Sequence, residues 1–194
     1  MTKGRLWLVR HGETAWSLSG QHTGRTDLSL EPPGEAQAKA VGTLLASADF
    51  ALVLTSPLIR AAETCRLAGL GERAEATDDL MEWDYGAAEG LTTDDLRTDE
   101  PGWTLWTDGV TAGETAADVG RRTDRVIERA RSAGGDAVCF AHGHVLRVLA
   151  ARWIGLPPAA GRLWALGAGS LSVLGWEREV PVIDRWNLQP LQPI

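Results

Sequence analysis

Leu6-Trp7-Leu8-Val9-Arg10-His11-Gly12-Glu13-Thr14 is a short apolar run that stops abruptly at a cation and an imidazole. Such a run reads as a buried strand that delivers Arg10 and His11 to its tip. Gly12 removes side-chain bulk at the same point, where a ligand could approach the backbone. A nucleophilic or phosphate-binding histidine needs this arrangement. Three residues occur often by chance, so the rest of the chain has to decide.

Working outward, Ala51 to Leu54 forms a second apolar strand that runs into Thr55-Ser56-Pro57. Ser or Thr can cap there and Pro suits a first helical turn, which predicts a helix over 58–68. Ala137 to Ala141 is a third strand, followed by His142-Gly143-His144 and a strongly apolar helix over 145–154. Between these lie a loop over 21–33, a helix over 34–48 and a short helix over 92–98. A longer helix over 114–132 places Ala116, Val119, Val126, Ile127 and Ala130 on one face, and its arginines at 121, 122, 125, 129 and 131 read as the solvated face. Segments 163–166, 170–176 and 180–186 read as closing strands.

Strands alternating with helices predict an α/β protein, a three-layer α/β/α sandwich around a mainly parallel central sheet. No linker or repeat divides the 194 residues, so residues 1–194 read as one domain. Ligands of such sheets gather beyond the carboxyl ends of the strands. Three strands here end in candidate chemistry: Arg10-His11, Ser56 leading to Arg60, and His142-Gly143-His144.

A net charge of −7 argues against a general binder of nucleic acid or anionic membranes. An anionic ligand would therefore need a local cationic pocket. The apolar run after Arg5 is too short for a signal peptide, and no stretch approaches the length of a membrane span. Cys65 and Cys139 lie far apart without metal-type spacing, which predicts buried reduced thiols and a cytoplasmic protein. Most of the nine tryptophans should be core or pocket wall.

Phosphoryl transfer through histidine needs a neutral imidazole facing phosphorus, cations on the non-bridging oxygens and an acid for the departing oxygen. His11 fits the nucleophile. Arg10 and Arg60 fit the clamp, because a guanidinium makes paired, charge-assisted hydrogen bonds. His142 adds a donor, and Gly143 lies where a helix N-terminus favours an anion. Glu82, between Met81 and Trp83 with Asp84 as a negative neighbour, is the candidate acid. No metal or cofactor is called for.

These segments together resemble the histidine phosphatase superfamily, the phosphoglycerate-mutase-like enzymes. Leu8 to Thr14 is similar to the family's first motif and Gly24 to Gly34 to its Gly-x-x-Asp-x-x-Leu-x-x-x-Gly loop. Thr55 to Thr64 resembles Ser-Pro-x-x-Arg-Ala-x-x-Thr, and Phe140 to Arg147 the second histidine motif. Glu82 aligns with the family's acid. The resemblance implies a phosphoglycerate-mutase-like fold, a phosphohistidine intermediate and no required metal.

Hydrolysis is favoured over mutase chemistry on three counts. The segment after the acid motif is short, Ser17 stands where mutases place Asn, and Gly143-His144 stands where they have Gly-Asn. The resulting expectation is a phosphatase of small phosphate monoesters, sugar-like in character and of the branch that resembles broad-specificity acid and sugar-phosphate phosphatases. Ser17, Thr23, Gly24, Tyr85, Gly143 and His144 are its candidate substrate-binding positions. A phosphoglycerate mutase and a non-catalytic phosphate-binding regulatory module are the alternatives. The expected partner is a small phosphate ester, and a homo-oligomer is compatible with the sequence.

Overall fold

In the computed structural model, which describes residues 3–190, the first motif sits in the middle of a six-stranded sheet. The strands are β1 (Leu6–Arg10), β2 (Phe50–Thr55), β3 (Glu75–Ala76), β4 (Asp136–Ala141), β5 (Leu171–Glu177) and β6 (Val180–Leu188). Their order is β3-β2-β4-β1-β5-β6. The pairs from β3 to β1 are parallel, whereas β5 and β6 join antiparallel. The sheet is thus mainly parallel, closed at one edge by a hairpin.

Alternate residues of the central strands feed two different cores, as a period of two requires. Leu6, Leu8, Ala137 and Cys139 pack on one face with α5 (Ala116–Ser132) and α6 (Gly143–Trp153). Val9, Val138 and Phe140 pack on the other with α2 (Pro32–Leu45) and α3 (Ile59–Leu67). Helices therefore cover both faces of the sheet. Two shorter helices, α1 (Ala15–Ser19) and α4 (Thr93–Asp99), lie in the connections. Cys65 and Cys139 are buried and unpaired, and burial pushes both thiols up to about 12. Among the described residues no helix is long and apolar enough to cross a membrane.

Three sequence expectations need correction. The helix predicted over 58–68 starts at Ile59 without a Ser or Thr side-chain cap. Asp27 supplies it from the preceding loop, its Oδ1 accepting the Ile59 N–H at 2.8 Å. Segment 163–166 is not a strand, because Pro157-Pro158 starts a 3₁₀ turn over Pro158–Leu163 and the chain then runs irregularly to β5. Arg122 is buried rather than solvated, because a carboxylate on the preceding loop pairs with it, as described below.

Gly12 also has a different reason from ligand approach. A Cβ there would lie 2.2 Å from the Gly34 carbonyl oxygen, and one on Gly34 would lie 2.3 Å from that of Glu13. The segment after β1 and the start of α2 cross backbone to backbone, so both positions exclude a side chain.

Candidate active site

The register of β1 and β4 pairs Arg10 with Ala141, and the His11 N–H donates to the Ala141 carbonyl at 2.9 Å. Arg10-His11 and His142-Gly143 therefore leave the sheet side by side. His11 is buried, and its Nδ1 lies 2.7 Å from the Gly12 carbonyl oxygen. A carbonyl can only accept, so Nδ1 carries the hydrogen and Nε2 keeps its lone pair. Burial, reinforced by the Arg10 and Arg60 guanidinium charges, holds the His11 pKa well below the usual histidine value. The imidazole is thus neutral and fixed in one tautomer.

Behind it, Arg60 is fully buried and spends its fork inward. Its Nε donates to His142 Nδ1 at 3.1 Å, and its Nη groups donate to the carbonyls of Thr23, Gly24 and Thr26, each at 3.0 Å. Accepting at Nδ1 leaves the His142 proton on Nε2, which donates to Ser56 Oγ at 2.8 Å. The His142 ring lies 5.2 Å from that of His11, and burial keeps it neutral as well. Glu89 grips the same loop from its other side, accepting the N–H groups of Gly24 and Thr26. A side chain on Gly24 would meet Glu89 Oε2 at 2.5 Å and the Trp83 carbonyl at 2.7 Å, so only glycine fits between them.

Glu82 lies at the N-terminus of α6. Its Oε1 accepts the N–H groups of Trp83 and Val145 at 2.9 Å, and its Oε2 accepts that of His144 at 3.0 Å. The helix end expected to hold a ligand anion thus already holds this carboxylate. Asp84, expected as its negative neighbour, turns its own carboxylate to Arg25 and the Gly86 N–H. The Tyr85 hydroxyl and His144 Nδ1 share a hydrogen bond at 2.6 Å. Desolvation raises the phenol and lowers the imidazole, so both are neutral.

One cavity of about 570 Å³ opens onto this cluster. Arg10, His11, Ser17, Thr23, Glu82, Tyr85, Gly143 and His144 line it. Arg60, His142 and Gly24 are off its wall, in the layer behind His11, and the Gly24 N–H is taken by Glu89 instead of facing a ligand. Ser17 reaches the wall, but its hydroxyl is engaged with Thr14 in the capping box of α1. Arg10 differs from Arg60: its Nη1 donates to the Leu166 carbonyl at 2.5 Å, while its Nε is cut off from solvent and has no partner. A neutral nucleophilic nitrogen, an unused guanidinium donor and a carboxylate on one wall can together handle a phosphoryl group.

The wall residues given no role from the sequence include His22, Arg97, Arg147 and Arg162. His22 donates from Nδ1 to the Leu91 carbonyl at 2.7 Å and packs edge-on to Tyr85. Arg147 had a readable signal, since residues three and four apart share a helix face and it follows His144 by three. Arg97 and Arg162 had none, because segments without a motif carry them.

Known proteins fall in line with this geometry. The profile of the histidine phosphatase superfamily (branch 1) matches residues 6–189. An acid phosphatase of Mycobacterium tuberculosis is 43% identical over 180 residues, covering 91% of this chain and 88% of the relative. A sedoheptulose 1,7-bisphosphatase of Saccharomyces cerevisiae is 37% identical, covering 78% of this chain and 68% of its own length. The solved structure of a Mycobacterium tuberculosis open reading frame superposes with a TM-score of 0.91 at 40% identity, over 97% of this chain and 99% of the other. The chain belongs to the histidine phosphatase superfamily, branch 1.

Proposed function

We propose that this protein, an enzyme of the phosphomonoesterase class, is a single histidine-phosphatase domain that hydrolyses small sugar-like phosphate esters in the cytoplasm, through a phosphohistidine on His11 and without a metal. The observation that carries the reading is the state of His11. Its Nδ1 is committed to the Gly12 carbonyl and its ring is held neutral, which leaves Nε2 as the nucleophile. The relatives named acid phosphatase and sedoheptulose bisphosphatase favour hydrolysis and a sugar-like substrate. Two buried thiols suit a reducing compartment.

In the first step Nε2 attacks phosphorus, the bond from phosphorus to the ester oxygen breaks, and the Glu82 carboxyl gives its proton to that oxygen. In the second step water attacks phosphorus and the bond to Nε2 breaks. Glu82 takes the water's proton, and inorganic phosphate leaves. Arg10 lines the cavity with Nη1 tied to the Leu166 carbonyl, and its Nη2, without a protein acceptor among the described residues, addresses the transferring oxygens. Arg60 and His142 hold His11 and the loop over 23–26 in place from behind.

His11→Ala is expected to abolish release of p-nitrophenol from p-nitrophenyl phosphate while thermal unfolding stays cooperative. A rapid quench of the wild type into alkali should trap labelled phosphohistidine, which the variant lacks. Activity retained by the variant overturns the mechanism, and transfer to a second hydroxyl in excess of phosphate release would establish a mutase instead.

A further inference from the structure

Two peptide planes meet at Gly12, directly after His11, and the backbone is at its loosest there. Packing against Gly34 forces a glycine at this position, and glycine restrains its own torsions least of all residues. The His11 ring nevertheless depends on this joint, because the carbonyl that takes its Nδ1–H belongs to Gly12. Groups outside the segment must therefore hold the two planes.

His11 itself is tied by backbone alone. Its N–H donates to the Ala141 carbonyl at 2.9 Å, and its carbonyl accepts the Gly169 N–H at 2.8 Å. The next two N–H groups go to side chains instead. The Gly12 N–H donates to Thr64 Oγ1 at 3.2 Å, and the Glu13 N–H donates to Gln37 Oε1 at 2.9 Å. A peptide unit is planar, so the grip of Gln37 on the Glu13 N–H also sets the direction of the Gly12 carbonyl. Thr64 sets the plane between His11 and Gly12 in the same way.

Both grips are themselves oriented. Thr64 is fully buried and donates its hydroxyl hydrogen to the Arg60 carbonyl at 2.7 Å, which leaves a lone pair for the Gly12 N–H. Gln37 Nε2 donates to Glu13 Oε1 at 2.9 Å, which turns Oε1 toward the backbone. Thr64 stands on α3 one turn after Arg60, and Gln37 stands on α2. Neither side chain lines the cavity, so neither is placed to meet a substrate.

We infer that Thr64 and Gln37 are positioning residues, a two-sided clamp that holds the Gly12 peptide planes and through them aims His11 Nε2 at the cavity. The attack of that nitrogen on phosphorus rests on the phosphatase reading, whereas the hold on the ring does not. Because Thr64 stands on the helix that carries Arg60, the clamp also keeps His11 in register with the Arg60–His142 layer behind it.

The test removes each grip at nearly constant volume. Thr64→Val and Gln37→Met should each slow phosphohistidine formation from p-nitrophenyl phosphate by about 10–10²-fold, the scale of a slightly misplaced reacting group, with KM changed less than about twofold. A misfolded fraction lowers the amplitude of that rapid-quench phase but not its rate constant, so the two effects separate. Thr64→Ser keeps the hydroxyl, and the exchanged pair Glu13→Gln/Gln37→Glu keeps an oxygen facing the backbone N–H of residue 13. Both should restore most of the rate. An unchanged rate constant, a loss carried by KM, or a loss that the conservative variants do not restore overturns the clamp. Heteronuclear NMR of the imidazole nitrogens, with His11 assigned by its absence in His11→Ala, reads the same device without turnover. The wild type and Thr64→Ser should show the Nδ1–H tautomer alone, and Thr64→Val and Gln37→Met a mixture of both tautomers. Identical His11 signals in wild type and clamp variants overturn the clamp whatever the activity. A wild type that turns over no phosphate ester, yet shows the single tautomer and its loss in the variants, would sink the phosphatase reading and keep the clamp.

Discussion

Arg10 and Arg122 are both withdrawn from water, yet they are treated in opposite ways. Arg122 meets Glu114 through two bonds of 2.9 and 3.0 Å, and its remaining Nη1 donates to the carbonyls of Asp79 and Met81. Glu114 in turn accepts the Asp84 N–H on its carboxylate and the Trp83 indole N–H on its carbonyl. The pair thus ties the loop around Glu82 to α5, and its charge is cancelled on the spot. Arg10 makes one bond to a carbonyl and leaves its Nε idle. Where the charge is neutralised internally the arginine is structure, and where it is left open it is kept for a ligand.

The comparison breaks most visibly in paired variants. Arg10→Met should reduce kcat/KM by about 10²–10³-fold or more, the scale of losing one preorganised donor to a developing charge. Its stability should hold or rise, since a desolvated cation with an unmet donor is removed. Steady-state kinetics beside urea unfolding measures both. A stability loss in Arg10→Met would place it with the structural arginines.

Arg122→Met should behave inversely and cost about 1–3 kcal/mol, because the half-buried Glu114 loses its paired guanidinium and the Asp79 and Met81 carbonyls lose their donor. Removing both charges in Arg122→Met/Glu114→Met should restore part of that loss, read as a partial return of the urea midpoint. A double variant no better than the single one would show that the carbonyls of Asp79 and Met81, not the ion pair, depend on Arg122.

How much of this was legible in the sequence follows from where each residue sits. Arg10, His11 and His142 end apolar runs, and a strand tip is visible in the one-dimensional pattern because the apolar period stops there. Glu82 is flanked by apolar residues and close to glycines, so its burial could be read locally. The network behind His11 could not be: Arg60 reaches the Thr23 to Thr26 carbonyls across more than thirty positions of chain, and Glu89 holds the same loop from the next motif. Arg122 looked like one of five arginines on a polar helix face. Only the carboxylate of Glu114, eight residues earlier and just outside the helix, marks it as different. The edge hairpin of β5 and β6 was visible as two apolar segments, whereas 163–166 misled because its carbonyls at Ala165 and Leu166 accept from the Trp186 and Arg10 side chains instead of pairing in a sheet.

The smallest expected effect is also the one that distinguishes the two regions by pH. His11, His142 and His144 are all held below the usual histidine range, chiefly by desolvation. In the unfolded chain they take up protons near pH 6.5, while in the native protein they stay neutral to lower pH. Below about pH 6.5 the unfolded state therefore binds more protons, and stability must fall as pH falls, by up to about 1.4 kcal/mol per pH unit for each histidine. Above that pH their contribution is flat. The ion-paired side of the molecule behaves differently, because Asp118 and Asp136 are held below the usual carboxylate range and lose their stabilising bonds only in stronger acid. Urea unfolding between pH 7 and 5 thus reads chiefly these three buried histidines. His144→Gln should flatten the slope by about one histidine's share, whereas Arg122→Met should lower the whole curve without changing its slope in that window. An unchanged slope in His144→Gln would mean that His144 already takes up its proton in the native state, and the neutral imidazoles would then be reduced to His11 on the wall and His142 behind it.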